Sequence, residues 1–180
     1  MNEHQLCFGE CTDAAQKHGR GPGDTKSGDA KYLFSSAELS RVALERCKTA
    51  RDAVELMGKL IDTYGYYGPG ETLPVGDPAE GWVFEMCAVP DGKGLWVAKR
   101  VPDGEVFVAA NSFRIREVIT DDPDNMLFSP NLFSEAAKLG WWDPTTGRPL
   151  DWQRTVSYGE YKHPYYSLRR VWSVLSRANP

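Results

Sequence analysis

Four cysteines and three histidines are the side chains of this sequence best suited to nucleophilic or metal chemistry: Cys7, Cys11, Cys47 and Cys87, with His4, His18 and His163. Thiol hydrolysis needs a thiolate, a base and hydrogen-bond donors for the oxyanion. No cysteine has a histidine at a spacing that identifies such a pair. Cys7 and Cys87 lie in strand-like text, Leu6-Cys7-Phe8 and Met86-Cys87-Ala88, and Cys47 falls on the apolar face of an expected helix. These three read as core thiols. Cys11 stands at the edge of a polar loop and is the better-placed nucleophile candidate, with no base beside it. The cysteine spacings fit neither a zinc site nor a disulfide framework, and the histidines are scattered. No metal or cofactor is implied. Glu80 with Glu85, or Glu105 with Glu117, could flank a cleft as paired carboxylates, but solvated surface is the simpler reading. Trp141-Trp142 reads as a packing pair, Tyr64 through Glu71 as a turn, and Arg169-Arg170 as an exposed helix face.

The elements that would position these residues are legible in part. Ser35-Ser36-Ala37-Glu38 is a capping box, and Leu39, Val42, Ala43 and Cys47 mark the apolar face of the helix it starts. Thr49 caps a second helix with an apolar stripe at Ala50, Ala53, Val54, Met57, Leu60, Ile61 and Tyr64, ended by Gly65. Three successive antiparallel strands are expected over 82–89, 94–101 and 105–110, joined by Pro-Asp-Gly turns. Residues 4–9 read as a short strand. Asn131 and Gly140 bracket a short helix, and a last helix starts near Tyr165. The Gly-, Asp- and Lys-rich text at 13–33 reads as a flexible loop or insertion with nothing to bury. The fold class is α+β, with the helix pair covering one face of an antiparallel sheet.

A chain of 180 residues can bury one core. Its 25 acidic residues against 21 basic ones give a net charge of -4, which argues against a nucleic-acid partner. No apolar run has the length of a membrane span. A soluble domain is expected, with its compartment left open.

Several stretches together resemble the cysteine-type dipeptidases of peptidase family C69, in the N-terminal nucleophile (Ntn) hydrolase superfamily. They include Met1-Asn2-Glu3-His4-Gln5-Leu6, residues 40–50, Tyr64 through Pro74 and Gly81-Trp82-Val83-Phe84-Glu85. They continue through 101–105, Ala110-Asn111-Ser112-Phe113-Arg114-Ile115, 129–132 and 163–170. The order is kept along nearly the whole chain except the loop at 13–33. The resemblance implies part of an αββα sandwich and hydrolysis of dipeptides or short peptides. In such enzymes the nucleophile is a cysteine freed at the N-terminus by processing, whose own amine is the base. Neither Met1 nor the internal Cys11 can fill that role. Residues 1–180 are therefore expected to form a partial domain that lacks the nucleophile segment and the C-terminal part, and to be inactive alone. The resemblance assigns Asn2 as an oxyanion donor and Asn111 as a substrate- or oxyanion-positioning residue, with Glu3 and Arg114 ordering the neighbourhood. Without it, Asn2 reads as a turn residue and Asn111 as an Asx turn. The partners implied are short peptides and the rest of the protein's own chain, with a homo-oligomer as a further option. The alternative is a non-catalytic, secernin-like or peptide- or protein-binding domain.

Overall fold

The computed structural model describes residues 1–16, 32–90 and 93–178. Most of the loop expected at 13–33, residues 17–31, lies outside the described residues. Two short strands, β1 (Cys7–Phe8) and β2 (Cys11–Asp13), precede two helices, α1 (Ser36–Arg46) and α2 (Ala50–Tyr64). The capping box forms: the Ser35 backbone amide donates to Glu38 at 2.6 Å, and the Glu38 amide donates to the Ser35 hydroxyl. Thr49 caps α2 by accepting from the Asp52 amide at 3.1 Å. Gly65 closes α2 with a positive φ of 79° but a ψ of 158°, so the chain leaves extended, not in the left-handed helical turn that was expected. Of the α2 stripe Ala50, Ala53, Val54, Met57 and Ile61 are buried and Leu60 is half-buried, whereas Tyr64 at its end is exposed. Gly58 lets α2 approach the sheet. A Cβ there would stand 2.3 Å from the Trp96 ring.

Among the described residues the sheet has six strands, all paired antiparallel. Its remaining strands are β3 (Gly70–Gly76), β4 (Gly81–Ala88), β5 (Gly94–Arg100) and β6 (Met126–Phe128). The order is β1-β3-β4-β5-β6, and β2 pairs with β3 beyond β1. The expected third strand at 105–110 does not form. Its place beside β5 is taken by β6, and the other edge of β4 is paired by β3, which starts in the last two residues of the text read as a turn. Pro74 disguises β3, because proline cannot donate to a ladder. It lies where β1 gives way to β2, and there the Gly9 amide donates to the Pro74 carbonyl at 2.8 Å.

Both faces of the sheet are covered, which is why β4 is apolar on both faces and interrupted only by the buried Glu85. On one face Leu73, Phe84, Met86 and Trp96 pack against α1 and α2. On the other, Val83, Cys87, Leu95 and Val97 pack against Phe113, Ile115, Leu132 and Trp152. That second layer comes from the irregular stretch after β5, from α3 (Leu132–Lys138) and from α4 (Trp152–Val156). Phe113 meets Trp152 edge to face at 5.9 Å. A π-helical turn, Pro164–Leu168, leads into α5 (Arg169–Ala178), which buries Val171 and leaves Trp172 and Val174 exposed. The architecture is α+β, with one antiparallel sheet between helical and mixed layers. No helix among the described residues is long and apolar enough to cross a membrane.

Two local expectations are corrected. The text at 12–16 is not all surface: Asp13 belongs to β2 and is 2% exposed, and Ala15 is buried and bridged to Ser157. Strand β3 and the 157–160 turn close over them. Cys7 is exposed and not a core thiol, because β1 is only two residues long and its thiol hangs off the sheet beside Gly76.

Candidate functional site

Strand β2, the bend at Asn111 and the start of α5 converge at one end of the sheet. Asn111 has φ of 53°, a left-handed conformation that asparagine tolerates better than most residues. The bend is held on three sides. Asn111 Nδ2 donates to the Thr12 carbonyl at 2.6 Å, Arg170 Nη1 donates to Asn111 Oδ1 at 3.1 Å, and the buried Ser167 hydroxyl donates to the Asn111 carbonyl at 3.0 Å. Arg170 is fixed in turn. Its Nη2 donates to the Ala110 carbonyl, its Nε donates to the Tyr166 carbonyl at 2.7 Å, and its guanidinium lies 4.3 Å over the Tyr166 ring. Arg170 is thus not the free surface cation of a helix face. The Tyr166 and Arg170 spacing of four residues was the available sequence signal, since it stacks the two side chains on one side of a helix.

Two open cavities flank this bend, and Thr12 and Asn111 line both. One, of about 490 Å³, is also lined by Cys11 and Arg170. The other, of about 370 Å³, is also lined by Asp13, Glu160 and Tyr166. A primary amide has two donor hydrogens. Asn111 spends one on Thr12 and keeps one.

Behind the second cavity lies a chain of buried acids. The Thr72 hydroxyl is 2.5 Å from Asp13 Oδ2 and 3.2 Å from Glu85 Oε1. A hydroxyl has one hydrogen, so one of the two carboxyls must carry the other proton. Glu85 is fully buried, yet it accepts from the backbone amides of Arg114 at 2.6 Å and Ile115 at 3.2 Å. Burial pushes its carboxyl up to about 7 against the pull of these donors. Asp13 lacks them. Burial pushes it up to about 9, the Thr72 hydrogen bond opposes the rise, and Glu85, Glu160 and Glu71 add to it. Asp13 is raised further than Glu85, so of the two it is the carboxyl that holds a proton. Glu71, buried beside Glu10, is raised to about 8. Glu85 is thus a core carboxyl and not the solvated side chain expected from sequence.

The thiols differ sharply. Burial raises the Cys87 and Cys47 thiols. The Cys11 thiol is raised too: burial dominates, and the Asn111 backbone amide and Arg170 oppose it only in part. Iodoacetamide is expected to alkylate Cys7 first and Cys87 only on unfolding, because reactivity follows exposure and thiolate fraction. Peptide mapping that finds Cys87 labelled as fast as Cys7 in the folded protein would contradict this burial pattern.

The other residues singled out from sequence lie elsewhere. Asn2 Nδ2 donates to the carbonyls of Leu44 and Cys47, both at 2.9 Å, and its Oδ1 accepts from the amides of His4 and Leu6. It brackets the N-terminal turn to the end of α1, and both hydrogens of its amide are already committed. Glu3 is exposed, with His4 Nε2 at 3.7 Å. Arg114 gives its backbone amide to Glu85, while its side chain lines a separate cavity with Lys99 and Glu105. The structure therefore gathers Asn111 with Thr12, Cys11, Ser167 and Arg170, and leaves Asn2 and Glu3 outside that group. Among the described residues, no three His, Cys, Asp or Glu side chains are grouped to hold a metal ion.

Residues 30–180 match the model of peptidase family C69. The chain is also similar to a protein of Salmonella dublin named probable dipeptidase, 32% identical over 143 residues that cover 79% of this chain and 31% of that protein. A Latilactobacillus sakei protein of the same name is 28% identical over 152 residues, 83% of this chain and 30% of that one. A Lactococcus lactis subsp. lactis (strain IL1403) protein named probable dipeptidase B is 36% identical over 92 residues, 51% of this chain and 18% of that one. The chain thus spans about a third of the length of the first two relatives it matches. With the family match extending over all of the structure from α1 to α5, the chain belongs to peptidase family C69.

Proposed function

We propose that this chain is the substrate-positioning part of a thiol dipeptidase of the Ntn-hydrolase type, acting on dipeptides or short peptides. The observation that carries this reading is the Asn111 amide. It is clamped by Thr12, Arg170 and Ser167 at the shared edge of two open cavities, with one donor hydrogen uncommitted. A neutral donor held rigid before reaction is what a developing oxyanion needs, since no reorganisation is then required. Arg170 holds the amide oxygen, which fixes the nitrogen toward the cavity. In this reading the attacking thiol belongs to an N-terminal cysteine outside residues 1–180, and its own amine takes the proton. The thiolate adds to the peptide carbonyl, the leaving amine takes that proton back, and water hydrolyses the thioester. The thiols present here support an outside nucleophile. Three have raised pKa values, and the amine of Cys11 is tied in a peptide bond. Residues 1–180 alone would then be inactive.

The same raised thiols favour a second reading, a peptide-binding domain without turnover. Hydrolysis of L-alanyl-L-alanine by the full-length protein, with Asn111→Ala beside it, separates the two. The dipeptidase reading expects turnover in the wild type and at least about a tenfold loss of kcat in the variant, equivalent to about 1.4 kcal/mol of transition-state stabilisation. An unchanged kcat in the variant would remove Asn111 from the mechanism. A wild type that binds the dipeptide and never cleaves it would establish the second reading.

A further inference from the structure

We infer that the cavity between β2 and the 157–166 segment is a cation site for an ammonium group, held by Asp13 and Glu160. That the ammonium is the free amino terminus of a peptide substrate rests on the dipeptidase reading above.

Asp13 and Glu160 both line the cavity, and Asn111 forms part of the same wall. Each acid brings an oxygen with no hydrogen-bond partner, Asp13 Oδ1 and Glu160 Oε1. Asp13 itself is 2% exposed. The other oxygens are already placed. Asp13 Oδ2 is bonded to Thr72, and Glu160 Oε2 accepts from the Ser157 hydroxyl at 2.5 Å. Ser157 is fixed by the Gly159 amide at 2.8 Å. Orphaned buried acceptors are costly, and a ligand with several hydrogens satisfies them. Among the described residues, no basic side chain lines the cavity. The charged groups among the described residues that act on Asp13 are Glu85 on β4, Glu160 on the turn after α4 and Glu71 on β3, all acids. The local field therefore favours a cation over a neutral or anionic group.

Two free oxygens on separate carboxyls suit an ammonium, which has three donors and no acceptor. They are too few for a dedicated divalent cage, which takes six or more oxygens. Position supports a substrate group. Asn111 is shared with the cavity that holds Arg170, so an ammonium on the acid side sits beside the amide that would face the reacting carbonyl. Such a site selects peptides with a free amino terminus and places the first peptide bond at Asn111. Because the empty site keeps a proton on Asp13, an arriving ammonium displaces that proton by direct charge attraction.

Calorimetry on the full-length protein tests this with L-alaninol, which carries the ammonium and no cleavable bond, and N-acetyl-L-alaninol, which lacks the charge. Alaninol is expected to bind at least about tenfold tighter than its acetylated form, which is about 1.4 kcal/mol. About one proton should be released per site at pH 7, read as a heat that changes with buffer ionisation enthalpy. Asp13→Asn should lose the discrimination, and Glu160→Gln should weaken it, with both variants showing wild-type near-UV circular dichroism. Glu160 is partly exposed, so its variant keeps the test valid if Asp13→Asn perturbs folding. Equal affinity for the two compounds, or both variants binding like wild type, overturns the site. A buffer-independent heat overturns the Asp13 ion pair. Hydrolysis of L-alanyl-L-alanine is measured on the same samples. Turnover without discrimination removes the ammonium site and leaves the dipeptidase reading. Asp13-dependent alaninol binding in a protein that cleaves no peptide does the reverse.

Discussion

Stability is expected to fall as the pH rises from about 5 to about 8, the opposite of a protein whose acids are held by salt bridges. The cause is the acid cluster under the cavity. Burial raises Asp13 to about 9, Glu71 to about 8 and Glu85 to about 7. In the unfolded chain the same groups ionise near pH 4. Between those limits the folded state holds more protons than the unfolded one, so the free energy of unfolding decreases with pH. The stabilisation from each group is complete below about pH 4 and is lost as pH rises through its folded pKa. Each extra proton gives a slope of about 1.4 kcal/mol per pH unit. For Asp13 alone that amounts to about 4 kcal/mol from pH 5 to pH 8. Glu38, Asp77 and Asp143 are shifted the other way by amide and hydroxyl donors, so their stabilisation is lost only as the pH falls below the ordinary carboxylate range. Urea denaturation at four pH values measures the slope. Asp13→Asn, which carries the same shape without the titrating proton, should reduce it by about one proton's worth. A flat or rising profile in the wild type would mean that the cluster is not buried as described.

What the sequence shows and what it hides follow one division. Local chemistry was legible: Ser35 and Glu38 form their capping box, Thr49 caps α2, and the stripe of Ala50, Ala53, Val54, Met57 and Ile61 is buried. These features depend on neighbours three or four residues away. The strands were legible where both faces are apolar, as in β4 and β5. Where pairing is long-range and composition misleading, reading failed. Val106-Phe107-Val108 has strand composition and forms none, because β4 and β6 already fill both edges of β5. Gly70 through Gly76, with a proline inside, forms a strand because β4 supplies its ladder.

The site divides in the same way. Asn111 was singled out through a family resemblance, and its side chain and carbonyl are hydrogen-bonded at the bend. Arg170 reaches it across 59 positions of sequence, and Asp13 reaches Thr72 across the same separation. No local pattern encodes either approach. Asp13 in particular sits in a polar stretch with every compositional mark of a surface loop, and is buried because β3 and a distant turn close over it. Buried polar residues of this kind are where propensity and function part company.

The bend at Asn111 depends on a single absent methyl group. Gly70 lies opposite Asp13 in the β2–β3 pairing, and a Cβ at Gly70 would stand 2.2 Å from the tip of the Phe113 ring. That ring is fully buried and braced edge to face against Trp152. It cannot swing away without disturbing Asn111, two residues before it, or the Phe113 carbonyl, which accepts from the buried Gln153 amide. Gly70→Ala is therefore expected to destabilise the fold by about 3 kcal/mol, the upper end of ordinary overpacking. It should also weaken alaninol binding, since it displaces both Asp13 and Asn111 from their shared wall. Phe113→Leu alone leaves a cavity and costs stability too, but it clears the space that the alanine needs. The double variant should then be more stable than the sum of the single losses by at least about 1 kcal/mol, as contacting residues show in a mutant cycle. Urea denaturation of the four proteins measures that coupling. A Gly70→Ala variant within about 0.5 kcal/mol of wild type, or a double variant that is merely additive, would show that Phe113 does not seat the bend. The support for the Asn111 clamp would then rest on Thr12, Arg170 and Ser167 without Phe113.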